Sequence, residues 1–204
     1  MSVHDFLRFY NETFKPIYAD LVAYIADKPF QVVVEIENAF SHLCVYLDDG
    51  ERQEVRNDNL KKAYNHISRA TLDCYKLLWV AMNRDITAII DDKNARKFAV
   101  NMSESDLLRR WGEFKKLART ARRAEMELIG KDGVEDVVRL YSKAIWLGWE
   151  ILDSIDEEKA SELRRFSMIA FIKRQWIGFL VGVVSGIVAA AIWQWLFSLY
   201  TSAR

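Results

Sequence analysis

Residues 176–200 read WIGFLVGVVSGIVAAAIWQWLFSLY, about 25 residues without a single charge. A helix rises about 1.5 Å per residue, so this run spans a hydrocarbon layer of about 30 Å with some tilt to spare. Ser185, Gln194 and Ser198 are its few polar interruptions. Trp176 stands at one end and Trp193, Trp195 and Tyr200 stand towards the other, where interfacial aromatics belong. A buried core helix of a chain this size seldom runs so far uncharged, so the sequence predicts a transmembrane helix over 176–200. Arg164, Arg165, Lys173 and Arg174 precede it and only Arg204 follows. Basic residues are retained on the cytoplasmic side, which predicts a single-pass protein of the bacterial inner membrane with its N-terminal part in the cytoplasm. The opening MSVHDFLRFYNETFKP carries charges throughout and does not read as a signal peptide.

The 204 residues carry 29 basic and 29 acidic side chains. With no net charge, the chain has no global field for nucleic acid, and any polyanion site must be a local patch. Cys44 and Cys74 sit in apolar helical patterns and form no CxxC, and a cytoplasmic setting argues against a disulfide. Only 8 glycines and 2 prolines occur, three of the glycines within 176–200, and so few turn residues predict long helices. The expected fold class is all-α. It comprises a cytoplasmic helical domain over 1–155, a juxtamembrane stalk helix over 156–175 and the membrane helix over 176–200.

Apolar residues three and four apart predict a first helix from Ser2 to Asp27, kinked or divided at Pro16 and ended by Lys28-Pro29. A second helix covers Phe30 to Leu47 and turns at Asp48-Asp49-Gly50. A third runs from Glu51 to Asp91, followed by a loop to Asn101. The fourth opens at Ser103, a good N-cap, and runs to Ile129, with Gly130 as its C-terminal glycine. The fifth follows Gly133 and reaches Ile155, and a further helical segment carries on from Asp156 without Pro or Gly to Gln175.

The third helix holds the most distinctive polar pattern. Lys62, His66, Arg69, Asp73 and Lys76 follow one another by three or four residues and share one helix face. They form either a solvated face with local ion pairs or a stripe that recognises an anion or a partner helix. Tyr64 and Tyr75 flank the stripe and offer rings for stacking on bases. The fourth helix is amphipathic and basic. Arg109, Lys116 and Arg123 recur at seven-residue spacing, with Lys115, Arg119 and Arg122 beside them, and only Glu113 offsets them. Such a face is either solvated or binds an anion: a nucleotide, an oligonucleotide backbone or the inner leaflet.

Gly178, Gly182 and Gly186 make GxxxGxxxG, with Ser185 and Ala189 on the same face. Small residues let membrane helices approach closely, which predicts self-association. Gln194 and Ser198 lie on roughly the opposite face, where they hydrogen-bond between protomers, line a narrow pore, or are simply hydrated near the interface. No HExxH, paired Cys/His spacing or nucleophile elbow occurs. The all-helical HEPN nucleases place an Arg four to six residues before a His, and no Arg stands at that distance before His42 or His66. The chain therefore reads as a non-enzyme with no metal and no cofactor.

The run NDNLKKAYNHISRATLDCYK, residues 57–76, places Leu60, Ala63, His66 and Arg69, and then Ala70, Asp73 and Lys76, on a three-residue beat, with Asn59 beside Leu60. With the C-terminal membrane helix, this resembles the membrane effectors of the Hailong anti-phage system. The resemblance implies a homotetrameric channel held closed by short single-stranded DNA oligomers. A partner nucleotidyltransferase makes them, and the channel opens when they are lost during infection. It carries over only Lys62, His66, Arg69, Asp73 and Lys76. The expectation is a homo-oligomeric, ligand-gated membrane effector. Two alternatives stand beside it: a membrane-tethered scaffold that recruits a protein, and a pore-forming accessory protein of a CRISPR (RNA-guided) defence system.

Overall fold

A computed structural model of the protein describes residues 2–127 and 134–163. The described residues are helical throughout, apart from turns and one isolated antiparallel bridge between Val100 and Ile155. The chain divides between Ile155 and Asp156 into two units.

The spine of the first unit is α4, Gln53–Asp91, which is preceded by α1 (Val3–Phe9), α2 (Lys15–Ile25) and α3 (Phe30–Leu47). Its 39 residues form a rod about 58 Å long. In proteins most helical stability comes from tertiary packing of an apolar face, so the rod is stabilised by what packs along it. One side of it buries Leu60, Ala63, Ile67, Cys74, Leu78, Met82 and Ile86. Cys74 and Cys44 are both free. Burial pushes the Cys74 thiol up to about 12, so it is not a nucleophile at neutral pH.

Pairings along the rod give the direction of each neighbour. Phe9 meets the Tyr64 ring at 5.0 Å and the Tyr24 hydroxyl donates to Asp85 at 2.8 Å, so α1 and α2 run parallel to α4. His66 pairs with Glu35, and His42 with Asn59, so α3 runs antiparallel. The turn between α3 and α4 is closed by the Asp48 carboxylate, which accepts from the Gly50 N–H at 2.9 Å.

Pro16 leaves a local mark on the first helix. Proline offers no N–H, and its ring clashes with the carbonyl four residues back, here Glu12. The helix relaxes into a π turn over Tyr10–Phe14, and Lys15 donates to the carbonyl of Tyr10 instead. The helix therefore continues through Pro16 and ends at Ile25, where Ala26 takes the left-handed conformation at φ 55°.

The stretch expected as a loop after Asp91 contains a short helix, α5 (Lys93–Phe98). Asp92 caps it by accepting from Asn94 and Ala95, a cap that the Asp91-Asp92 pair conceals in a sequence reading because it looks like a turn. Arg96 then pairs with Glu104 at 2.8 Å, which ties α5 to the start of α6 (Glu104–Glu127). Next comes α7 (Val134–Asp153). Arg110 pairs with Glu150, and the Tyr141 hydroxyl reaches Glu125, so α6 and α7 are antiparallel. Both lie on α4, where Trp79 stacks on Phe114 and Tyr75 on Tyr141. Gly148 permits the closest approach. A Cβ there would meet Phe114 at 2.9 Å and the Met82 sulfur at 3.0 Å.

In the second unit Asp156 caps a helical segment over 157–163 by accepting from the Lys159 N–H at 3.0 Å. No helix of the described residues is long and apolar enough to cross a membrane. The segment 176–200 lies outside those residues, as do Gly130, Gly178, Gly182, Ser185, Gly186, Ala189, Gln194 and Ser198.

Candidate anion-binding site

A cavity of about 750 Å³ opens where α4, α6 and α7 meet. From α4 it takes Lys76, Trp79 and Val80, and from α7 it takes Tyr141. The α6 wall consists of Lys115, Arg119, Arg122 and Arg123, together with Gly112 and Ala118. Five cations thus line one cavity, and among the described residues that line it there is no carboxylate.

The sequence pattern of α6 builds the basic wall. Residues 115, 119, 122 and 123 are separated by one, three, four, seven or eight positions, so they project over about two turns of one flank, roughly 12 Å long. Leu107, Phe114, Ala118 and Ala121 are buried from α6, which holds that flank towards the opening. Trp79 is braced from behind by Phe114, with ring centroids 5.5 Å apart. Lys115 is held with its ammonium 3.1 Å from the centre of the Trp111 ring, a cation–π contact.

The cations differ in their partners. Arg119 and Arg123 make no ion pair among the described residues. Lys76 is held between Asp73 at 2.6 Å and Glu125 at 3.1 Å. Arg122 donates to Glu125 at 2.8 Å, and that bond holds its guanidinium above the usual range. Burial, with the Glu125 charge beside it, pushes Tyr141 up to about 12, so its hydroxyl stays a donor at neutral pH.

The structure brings together three of the nine expected ligand residues, Lys76, Arg119 and Arg123. It adds Lys115 and Arg122 from the same basic helix. The other six lie elsewhere. Lys62 pairs with Asp58 at 2.7 Å on the surface, and Asp73 serves as a counter-ion to Lys76. Arg69 and Lys116 are exposed outside the cavity. Arg109 is tied along its own helix to Asp106 at 3.4 Å.

His66 lies in the α3–α4 seam. Its Nδ1 is 2.6 Å from Glu35, and since a carboxylate only accepts, the ring donates there. Its ring stacks on His42 at 5.3 Å, and His42 in turn donates to Asn59 at 2.7 Å. Tyr64 and Tyr75 are likewise engaged. The Tyr64 hydroxyl donates to Glu135 at 2.7 Å, and Tyr75 is buried against Tyr141.

Trp79 and Tyr141, the aromatic part of the cavity, were not singled out in the sequence. The only available signal was that Trp79 stands one helical step beyond Lys76 on the stripe. A second cavity, of about 610 Å³, lies between the first helices and α7. It mixes Glu12, Asp20 and Glu135 with Arg139 and Lys143, and selects no sign of charge. No cluster of three metal-ligating side chains occurs among the described residues. Comparison with family models, curated proteins and solved structures finds no match to this chain.

Proposed function

We propose that the chain is a non-enzymatic, homo-oligomeric membrane effector. Its helical domain reads a phosphorylated ligand, a nucleotide or short single-stranded DNA oligomer, and so gates a pore in anti-phage defence. The observation that carries this reading is the cavity at α4, α6 and α7, where five cations and a braced tryptophan meet without a lining carboxylate. Cations gathered this closely repel one another, and a polyanion relieves that repulsion. Phosphate takes charge-assisted hydrogen bonds from Arg119, Arg122 and Arg123, while the Trp79 face offers a base a stacking surface. The uncharged 176–200 segment supplies the membrane span, and its GxxxGxxxG face supplies contacts between copies, four of them in the favoured assembly. A nucleotidyltransferase acting nearby would make the ligand.

The test is the mass of the full chain in detergent, with copurified nucleic acid read from its absorbance ratio and nuclease sensitivity. The reading expects a discrete oligomer carrying a short oligonucleotide that R119E/R123E loses. A monomer without nucleic acid overturns it. One observation favours a second reading, a membrane-tethered scaffold. Among the described residues helix α3 packs chiefly on α4 and leaves Phe30, Phe40 and Leu47 exposed, apolar side chains suited to a protein partner.

A further inference from the structure

We propose that Glu125 is an internal stand-in for the ligand's phosphate, so that the cavity selects a terminal phosphate monoester over an internal phosphodiester. The inference rests on the reading of this cavity as a nucleotide or oligonucleotide site.

The Glu125 side chain is only 17% exposed and does not line the cavity. Its carboxylate takes Lys76 Nζ at 3.1 Å on one oxygen, and Arg122 at 2.8 Å and the Tyr141 hydroxyl at 3.5 Å on the other. Those three donors come from three helices, α4, α6 and α7, and all three line the cavity. One carboxylate therefore already holds the donors that a ligand oxygen would seek. Arg119 and Arg123, in contrast, have no such internal partner among the described residues.

This division has a chemical consequence. Arg119 and Arg123 are open to any phosphate. Lys76, Arg122 and Tyr141 must be won from a carboxylate with a full negative charge. A phosphodiester carries one charge, no more than Glu125 itself, and gains little by replacing it. A terminal phosphate carries about −1.5 to −2 charges at pH 7 and three acceptor oxygens, so it outcompetes the carboxylate for the same donors. Lys76 keeps Asp73 at 2.6 Å throughout, so the exchange does not strip that ammonium of its counter-ion. Displacing Glu125 also unties the last turns of α6 from α4 and α7, which converts occupancy into a change at the end of that helix.

The experiment compares two probes on the full chain in detergent, a thymidine tetranucleotide with a 5′-phosphate and the same oligomer with a 5′-hydroxyl, both labelled at the 3′ end. Fluorescence anisotropy reads affinity. Wild type is expected to bind the phosphorylated probe about tenfold more tightly, the scale of one charge-assisted hydrogen bond. E125Q keeps the side-chain shape and removes the charge. It should tighten binding of the hydroxyl probe by several fold and bring the two probes closer together. E125A should move in the same direction, and the thermal midpoint of each variant checks its fold. If wild type binds the probes equally, or E125Q tightens neither, the stand-in is overturned while the cavity reading survives. If wild type and E125Q bind neither probe, both fall.

Discussion

Replacing Gly148 by alanine tests the packing that holds the cavity's aromatic wall. The residue lies within α7, where alanine is favoured over glycine by about 1 kcal/mol. Propensity alone therefore predicts a more stable protein. Packing opposes it. The added methyl would sit 2.9 Å from Phe114 Cε2, a distance that real Cβ atoms essentially never show, and 3.0 Å from Met82 Sδ, which is tight but tolerable if the neighbour gives. Met82 is unbranched and yields easily. Phe114 is fully buried with Trp79 stacked against it, so it yields only by pushing Trp79 towards the opening. Overpacking of this kind costs about 1–3 kcal/mol; the buried Phe114 against Trp79 puts this site in the upper half, about 2–3 kcal/mol, so after the propensity gain a net loss of about 1–2 kcal/mol remains. For a chain of this length the thermal midpoint falls by about 2–8 °C, read by far-ultraviolet circular dichroism on the full chain in detergent. Oligonucleotide affinity should fall with it, because Trp79 has moved. G112A is the control. Nothing lies within 4 Å of its Cβ, so it should raise the midpoint slightly. A G148A protein as stable as wild type would refute the wedge between α7 and the Trp79–Phe114 pair.

The remaining predictions concern charge, a cap and a seam. R119E/R123E should abolish oligonucleotide capture, while R119A/R123A, which only removes two phosphate contacts, should lower the slope of log affinity against log salt by about 1.4; an unchanged slope would place the phosphate elsewhere. H66A should leave oligonucleotide affinity intact yet cost about 1–3 kcal/mol in urea unfolding, because Glu35 loses the donor 2.6 Å away in a half-buried seam. A loss of affinity without a loss of stability would return His66 to the ligand. A26G should raise the midpoint by about 1–4 °C, since Ala26 holds φ 55° at the end of α2 and glycine takes that conformation without strain. A fall would mean that the unfolded-chain entropy of glycine outweighs the relief.

The helices were legible in the sequence because their signals are local. Ser2 and Ser103 both act as caps, and each accepts the N–H three residues on. The apolar spacing of α4 selects the face that is buried. The disturbance at Pro16 was legible as a break, but not as a π turn, because the energy of rerouting one hydrogen bond depends on how firmly Phe9 and Phe14 are anchored.

The candidate site was half legible, and the reason lies in the stripe on α4. Lys62 to Lys76 do share one flank, as their spacing requires, but the flank is about 21 Å long and meets different neighbours along its length. Near its start α3 covers it, and His66 is absorbed by Glu35. Near its end α6 arrives, and Lys76 turns to Glu125 and the cavity. Periodicity states which residues lie on one side of a helix but not which neighbour lies opposite each of them. The same holds for α6, where Arg109 and Arg123 are in register along the helix yet only Arg123 reaches the cavity. What makes the site a site is the crossing of three helices at Phe114, Met82 and Gly148. Gly148, in the middle of α7, was the sequence sign of that crossing, but it did not stand out, since Gly112 in the middle of α6 has nothing within 4 Å of its Cβ and marks no close approach.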